Sequence, residues 1–211
     1  MNAVVRSARL GLERGWIETK QFLRSPQEMI WMIMMAVIFV AVLWFQRNKQ
    51  VEGMSLALLT LPSLIGMMVA QAGFSGVAGI ISYDREDGTL LRAKAIPQGI
   101  VGYIVARITY LLTTTIINLA VVFIPALFFI EGLSGIGISG AFTLTWLFML
   151  GLLATAPYGA IIGSLVKSSG SGFGLTFLPL AGLVAISGIF YPITALAGWL
   201  QAVAQVFPVY W

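Results

Sequence analysis

Neither cysteine nor histidine occurs anywhere in the 211 residues. Without cysteine there is no disulfide framework, no thiol nucleophile and no thiolate metal site. Without histidine, imidazole triads and histidine-ligated zinc or haem are excluded as well. Charge is scarce too: Asp, Glu, Lys and Arg make up 9% of the chain, against about 25% in a soluble globular domain. No G-x-x-x-x-G-K-[ST] is present, because Lys20, Lys49, Lys94 and Lys167 all lack a preceding glycine. The chain therefore has no phosphate cradle of that kind for a nucleotide. Residues 1–25 do not read as a secretory signal, since Arg6, Arg9, Glu13, Arg14, Glu18, Lys20 and Arg24 interrupt any apolar run.

What fills the chain instead is apolar. Hydrophobic residues make up 59% and the mean hydropathy is +0.95, so the solvent for most of this protein is lipid. The expected fold class is an all-α polytopic membrane protein: an N-terminal amphipathic elbow helix and five transmembrane helices. The spans are read as Met29–Phe45, Met54–Ser82, Ile100–Ile130, Ala141–Val166 and Gly172–Ile189. Spans two and three are longer than a ~30 Å hydrocarbon core requires, so span two should tilt, kink at Pro62 or project beyond the lipid.

Residues 1–25 place Val5, Leu12, Trp16 and Leu23 on one narrow helical stripe, with Arg6, Arg9, Glu13, Lys20 and Arg24 beside and behind it. That pattern suits a helix lying in the headgroup plane; a loosely ordered leader is the plainer reading. Ser25 and Glu28 have capping-box spacing and Pro26 sits at the first helical position, which predicts a sharp start to span one. Ala72/Gly76, Ser75/Gly79 and Gly159/Gly163 are small-residue pairs that let another helix approach, although glycine is common in membrane helices generally. Arg107, the one charge inside a span, lies near enough to the span's start to snorkel to the boundary. Thr114 and Asn118 lie deeper, and either join helices or touch a substrate. After Tyr191-Pro192, Ile193–Val206 is too short to recross, and its aromatic neighbours predict a headgroup-level segment.

With the N-terminus inside, Arg6, Arg9, Arg14, Lys20, Arg24, Arg85, Arg92, Lys94 and Lys167 are cytoplasmic, against Arg47 and Lys49 outside. That asymmetry satisfies the positive-inside rule. The charged island Ser82–Gly99 then faces the cytosol. Within it Asp87-Gly88-Thr89 reads as a turn, Thr89 as the cap of a short helix Leu90–Ala95, and Pro97 as its stop. Either this helix is a handle for a soluble partner, or the island is a solvated connection.

The elbow ahead of span one, then Glu86-Asp87-Gly88-Thr89-Leu90 ending at Pro97, resembles the permease subunit of type-2 ABC transporters, the drug, antibiotic and polysaccharide exporters. Gly188-Ile189-Phe190-Tyr191-Pro192 followed by Phe207-Pro208-Val209-Tyr210 is similar to that family's outer re-entrant region. The resemblance implies a six-span fold whose sixth span is missing here, and so a shortened chain. It divides the chain into an elbow (1–25), a transmembrane domain (26–191) carrying a coupling loop (82–99), and an extracytoplasmic interfacial segment (192–211). It implies a homo- or heterodimer of permeases in the lipid of the cell membrane, and a separate ABC ATPase that binds the ATP. No cofactor and no nucleic-acid partner is expected for this chain. Glu86, Gly88, Thr89, Leu90, Arg92 and Pro97 would form the ATPase-coupling region, and Asn118 and Thr114 would line a substrate path. Where relatives often carry an acid after the Gly-Thr-Leu, this chain has Leu91.

The implied function is export of a hydrophobic or amphipathic substrate. The alternatives are an ion-coupled carrier or channel, or a non-transporting structural subunit. A carrier normally shows ionisable groups deep in the bundle, and here no acid falls inside any predicted span. That same absence argues against an intramembrane protease.

Overall fold

Ser25 and Pro26 divide the first fifty residues into two helices. A computed structural model describes residues 2–51, 54–130, 133, 138–166, 182 and 197–205. Helix α1 (Ala3–Arg24) ends where Ser25 turns extended, φ −80° and ψ 113°, as a residue before proline must. Helix α2 (Pro26–Gln46) starts with Pro26 in its first turn. Only half of the expected capping box is made. Ser25 Oγ accepts from the Glu28 amide at 3.5 Å, while the Ser25 amide is taken by the Phe22 carbonyl of α1.

A minimal hairpin, β1 (Gln50–Val51) and β2 (Met54–Ser55), pairs Gln50 with Ser55 and Val51 with Met54. Helix α3 (Leu56–Gln71) runs through a π turn at Ala72–Gly76 into α4 (Val77–Glu86), forming one span of 31 residues. It reaches past Ser82, so Asp84, Arg85 and Glu86 form its last turn. The irregularity lies at the π turn, and Pro62 stays inside α3. Helix α5 (Thr89–Ala95) is short, and α6 (Gly99–Phe129) and α7 (Ile138–Leu165) are long. Helix α8 (Gly198–Gln205) falls within the segment expected at headgroup level. Among the described residues four helices are long and apolar enough to cross a membrane, consistent with an all-α polytopic membrane protein. The expected fifth span and most of the outer segment lie outside the described residues.

Close packing rests on small residues. Helix α1 runs parallel to α6: Ser7 meets Gln98 and Gly102, Gly11 meets Gly102 and Val105, Gly15 meets Ala106 and Thr109, and Thr19 meets Thr113. A Cβ at Gly15 would stand 2.6 Å from the Ala106 carbonyl oxygen, so only glycine allows this approach. Val5, Leu12, Trp16 and Leu23 face away from α6 and are exposed. The sequence pattern shows the apolar stripe; the seam to the protein is the small-residue stripe at Ser7, Gly11, Gly15 and Thr19.

A second seam joins α7 to the π turn and α4. Gly159 lies against the Gly73 and Phe74 carbonyls, and a Cβ on Gly163 would come 2.6 Å from the Ala78 carbonyl. Gly159/Gly163 thus pack closely, but the partner positions are Gly73 and Ala78. Among the described residues, a Cβ on Gly76 or Gly79 would meet no other helix. The π turn inserts one residue into the ladder and so rotates the helix face after it. Further along, Ala36 and Leu43 of α2 share a buried cluster with Leu61 and Leu64 of α3 and Val122 and Ala126 of α6.

Candidate functional site

Helix α5 is set by its first three residues. Gly88 holds φ +78°, a left-handed conformation that glycine adopts without a Cβ clash. The Asp87 carboxylate accepts from the Thr89 amide and from the Thr89 hydroxyl, both at 2.8 Å. The N-cap position is Gly88, so Thr89 opens the helix instead of capping it, and the Asp87 carboxylate two residues ahead serves the Thr89 amide, one of the orphan donors of the first turn. Donation by Thr89 holds the Asp87 carboxyl below the usual carboxylate range. Arg92 Nη2 returns to the Asp87 carbonyl at 2.8 Å, closing the turn from the other side. Ile96 is extended ahead of Pro97 and ends the helix.

This segment presents an outward surface. Glu86, Arg92 and Pro97 are exposed, Thr89 and Leu90 are half-buried, and Tyr83, Leu91 and Ile96 are apolar side chains more than half exposed. A capped helix with apolar side chains standing out of a charged rim has the make-up of a docking surface.

Behind it lies a charged cluster that sequence reasoning missed. Arg107 Nη1 pairs with Glu18 Oε2 of α1 at 2.7 Å, and Arg107 Nη2 pairs with Asp84 Oδ1 of α4. Tyr103 Oη donates to Asp84 Oδ2 at 2.6 Å, and Arg14 pairs with Glu18 at 2.9 Å. Asp84 is 1% exposed. Instead of snorkelling free to the boundary, Arg107 is engaged by two acids, because α1 and α4 bring Glu18 and Asp84 to its guanidinium. The signal was present as an arginine one helical turn after Tyr103, but its acids lie 89 and 23 residues away. A cleft of about 590 Å³ opens beside the cluster, with Glu18, Glu28, Tyr83, Asp84, Arg107 and Tyr110 among its walls.

The two residues expected along a path sit differently. Thr114 is buried and donates to the Tyr110 carbonyl at 2.7 Å; Asn118 Nδ2 donates to the Thr114 carbonyl at 2.8 Å. Both bonds satisfy α6 itself. They lie away from the α5 surface, further along α6 than the Arg107 cluster.

A family model described as ABC-2 type transporter matches residues 14–211. No curated protein and no solved structure matches the chain.

Proposed function

As a member of the ABC-2 type transporter family, this chain is a transmembrane permease component, and we propose that it serves an ATP-driven exporter. The proposed cargo is a hydrophobic or amphipathic molecule, a drug or antibiotic, or a lipid-linked or polysaccharide chain, moved out of the cytoplasm. The work comes from a separate ATPase subunit, which binds the ATP, and a second permease copy completes the path. The chain sits in the cell membrane with its N-terminus inside: 1–25 is an elbow on the cytoplasmic side, 26–191 the transmembrane domain, and 192–211 an outer interfacial segment.

The observation that carries this reading is the surface around α5. It lies between two membrane-crossing helices, presents Leu91 and Ile96 outward, and belongs to a chain without a P-loop motif of its own. Glu86, Gly88, Thr89, Leu90, Arg92 and Pro97 form the coupling region in this proposal; Thr114 and Asn118 are the proposed contacts along the path. Nine basic residues on the N-terminal side of the membrane against Arg47 and Lys49 on the other support the orientation.

The test is co-purification of the full chain with a co-expressed P-loop ATPase, followed by ATP-driven efflux of an amphipathic dye from vesicles. Gly88→Pro forces φ to about −65° where the turn needs φ +78°. Gly88→Pro and Glu86→Ala should leave membrane insertion and ATP hydrolysis in place and abolish the coupled efflux. Unchanged efflux in both variants would remove the coupling assignment.

A further inference from the structure

The last turn of α4 reaches in two directions from two adjacent residues. Asp84 points into the bundle, accepting from Tyr103 at 2.6 Å and pairing with Arg107, both on α6. Arg107 in turn holds Glu18 of α1 at 2.7 Å. Arg85, the next residue round the helix, points to α7, where Nη1 donates to the Gly163, Ser164 and Val166 carbonyls at the end of that helix, the first and last at 3.2 and 3.1 Å. The final carbonyls of a helix lack intrahelical donors and carry partial negative charge, so a guanidinium there is a natural terminator. Only Asp87 and Gly88 separate this turn from α5, and both are fixed in the capped turn.

We propose that Asp84 and Arg85 are a branch point of positioning residues, through which a displacement of α5 is passed to α1 and α6 on one side and to α7 on the other. This deepens the permease reading and rests on it for its purpose, although the mechanical claim stands on the contacts alone. A single ion pair at this place would tie α5 to one neighbour. The two side chains, facing different neighbours, tie it to three, so the elbow helix moves with the coupling segment and is not a passive anchor. Arg107 is the relay on the elbow side, because its guanidinium fork engages Asp84 and Glu18 at once. Ser7 Oγ donating to the Gln98 carbonyl at 2.7 Å adds a tie at the far end of α1, so a label near Glu18 is needed to read the relay.

The chain has no native cysteine, so spin labels can be placed at Lys94→Cys on α5 with either Ile17→Cys on α1 or Ile161→Cys on α7. Distance distributions are measured on the full chain in lipid nanodiscs. The expected result is narrow distributions for both pairs in the parent. Arg107→Gln broadens only the α5–α1 pair, and Arg85→Gln broadens only the α5–α7 pair. Arg85→Lys, which keeps a cation at the α7 carbonyls, stays narrow. A lesion that merely loosened the fold would broaden both pairs, and that outcome, or no broadening in either variant, overturns the proposal. Adding a co-purified ATPase with ATP and vanadate separates the two claims. In the parent both distances should persist while the distance from Lys94→Cys to Phe45→Cys on α2 changes. If selective broadening is seen but nothing responds to nucleotide, the branch point stands and the permease coupling fails.

Discussion

The Thr19 hydroxyl of α1 lies 2.6 Å from the Thr113 hydroxyl of α6, with Thr19 wholly buried. Each oxygen also lies within bonding distance of a carbonyl of its own helix, Gly15 for Thr19 at 2.9 Å and Thr109 for Thr113 at 2.7 Å. The Thr113 hydroxyl also lies 3.1 Å from the Tyr110 carbonyl, so two hydroxyl protons are shared among four contacts, and one threonine donates across the seam while the other keeps its own helix. The seam is therefore polar at this point and glycine-lined below it, a close approach that bulky apolar side chains would prevent.

Replacing that pair by cysteines should report the seam directly. Thr19→Cys/Thr113→Cys is expected to form a disulfide on mild oxidation, since the two oxygens already stand near the separation that a disulfide needs of its side chains. Protection of both thiols from a maleimide reagent is the readout. Gly15→Leu in the same background should abolish it, because even a Cβ there would press on the Ala106 carbonyl.

Arg107→Gln leaves the Asp84 carboxylate buried with only Tyr103 as a partner from this cluster. Loss of one member of a buried pair costs about 3–5 kcal/mol, so the thermal midpoint in detergent should fall markedly. Asp84→Asn/Arg107→Gln removes the stranded charge too and should recover a large part of that loss. A double variant as unstable as the single one would mean that the pair's charge is not what the fold depends on.

Two glycines in neighbouring helices should behave in opposite ways. Gly159→Val drives a side chain into the Gly73 and Phe74 carbonyls, the latter 2.5 Å from the new Cβ. Overpacking of this kind costs about 1–3 kcal/mol, and here the obstructing atoms are backbone. Among the described residues a Cβ on Gly79 meets nothing within 4 Å, and alanine gains about 0.5–1 kcal/mol over glycine inside a helix. Thermal unfolding of the two variants side by side distinguishes them.

The α5 cap carries a pH dependence whose sign follows from its donors. Thr89 bonds hold the Asp87 carboxyl below its ordinary value of 3.8. A depressed folded value means the contribution is fully present above 3.8 and is lost only as pH falls through the lower folded value. Amide exchange at Thr89–Arg92, corrected for intrinsic rate, should therefore stay protected from neutral pH to the acid limit of the carboxylate range. In Asp87→Ala protection should be reduced throughout that range and converge with the parent only below it.

Much of the plan was legible from composition and punctuation alone. Long uncharged runs can only be helices in lipid, since each backbone polar group must be satisfied within its own segment. Pro26 and Pro97 mark their boundaries because proline restricts the residue before it, and the Asp87-Gly88-Thr89 turn follows from glycine's freedom at positive φ. The site resisted for a different reason. Arg107 reads as an unpaired cation when only its neighbours in sequence are seen, and Gly73 and Ala78 form no small-residue pair at helical spacing.

What the amino-acid sequence by itself determined is where the four long apolar helices of the described residues run, where the chain turns around Ser25-Pro26 and Asp87-Gly88, and that these 211 residues hold no P-loop motif. Tertiary structure alone decided which small residues meet, through the register of a π turn, and which acids reach Arg107, through the parallel docking of α1 on α6. Hydrophobic length is a local property written into each segment, whereas a salt bridge between residues 18, 84 and 107 exists only once three helices have chosen their faces.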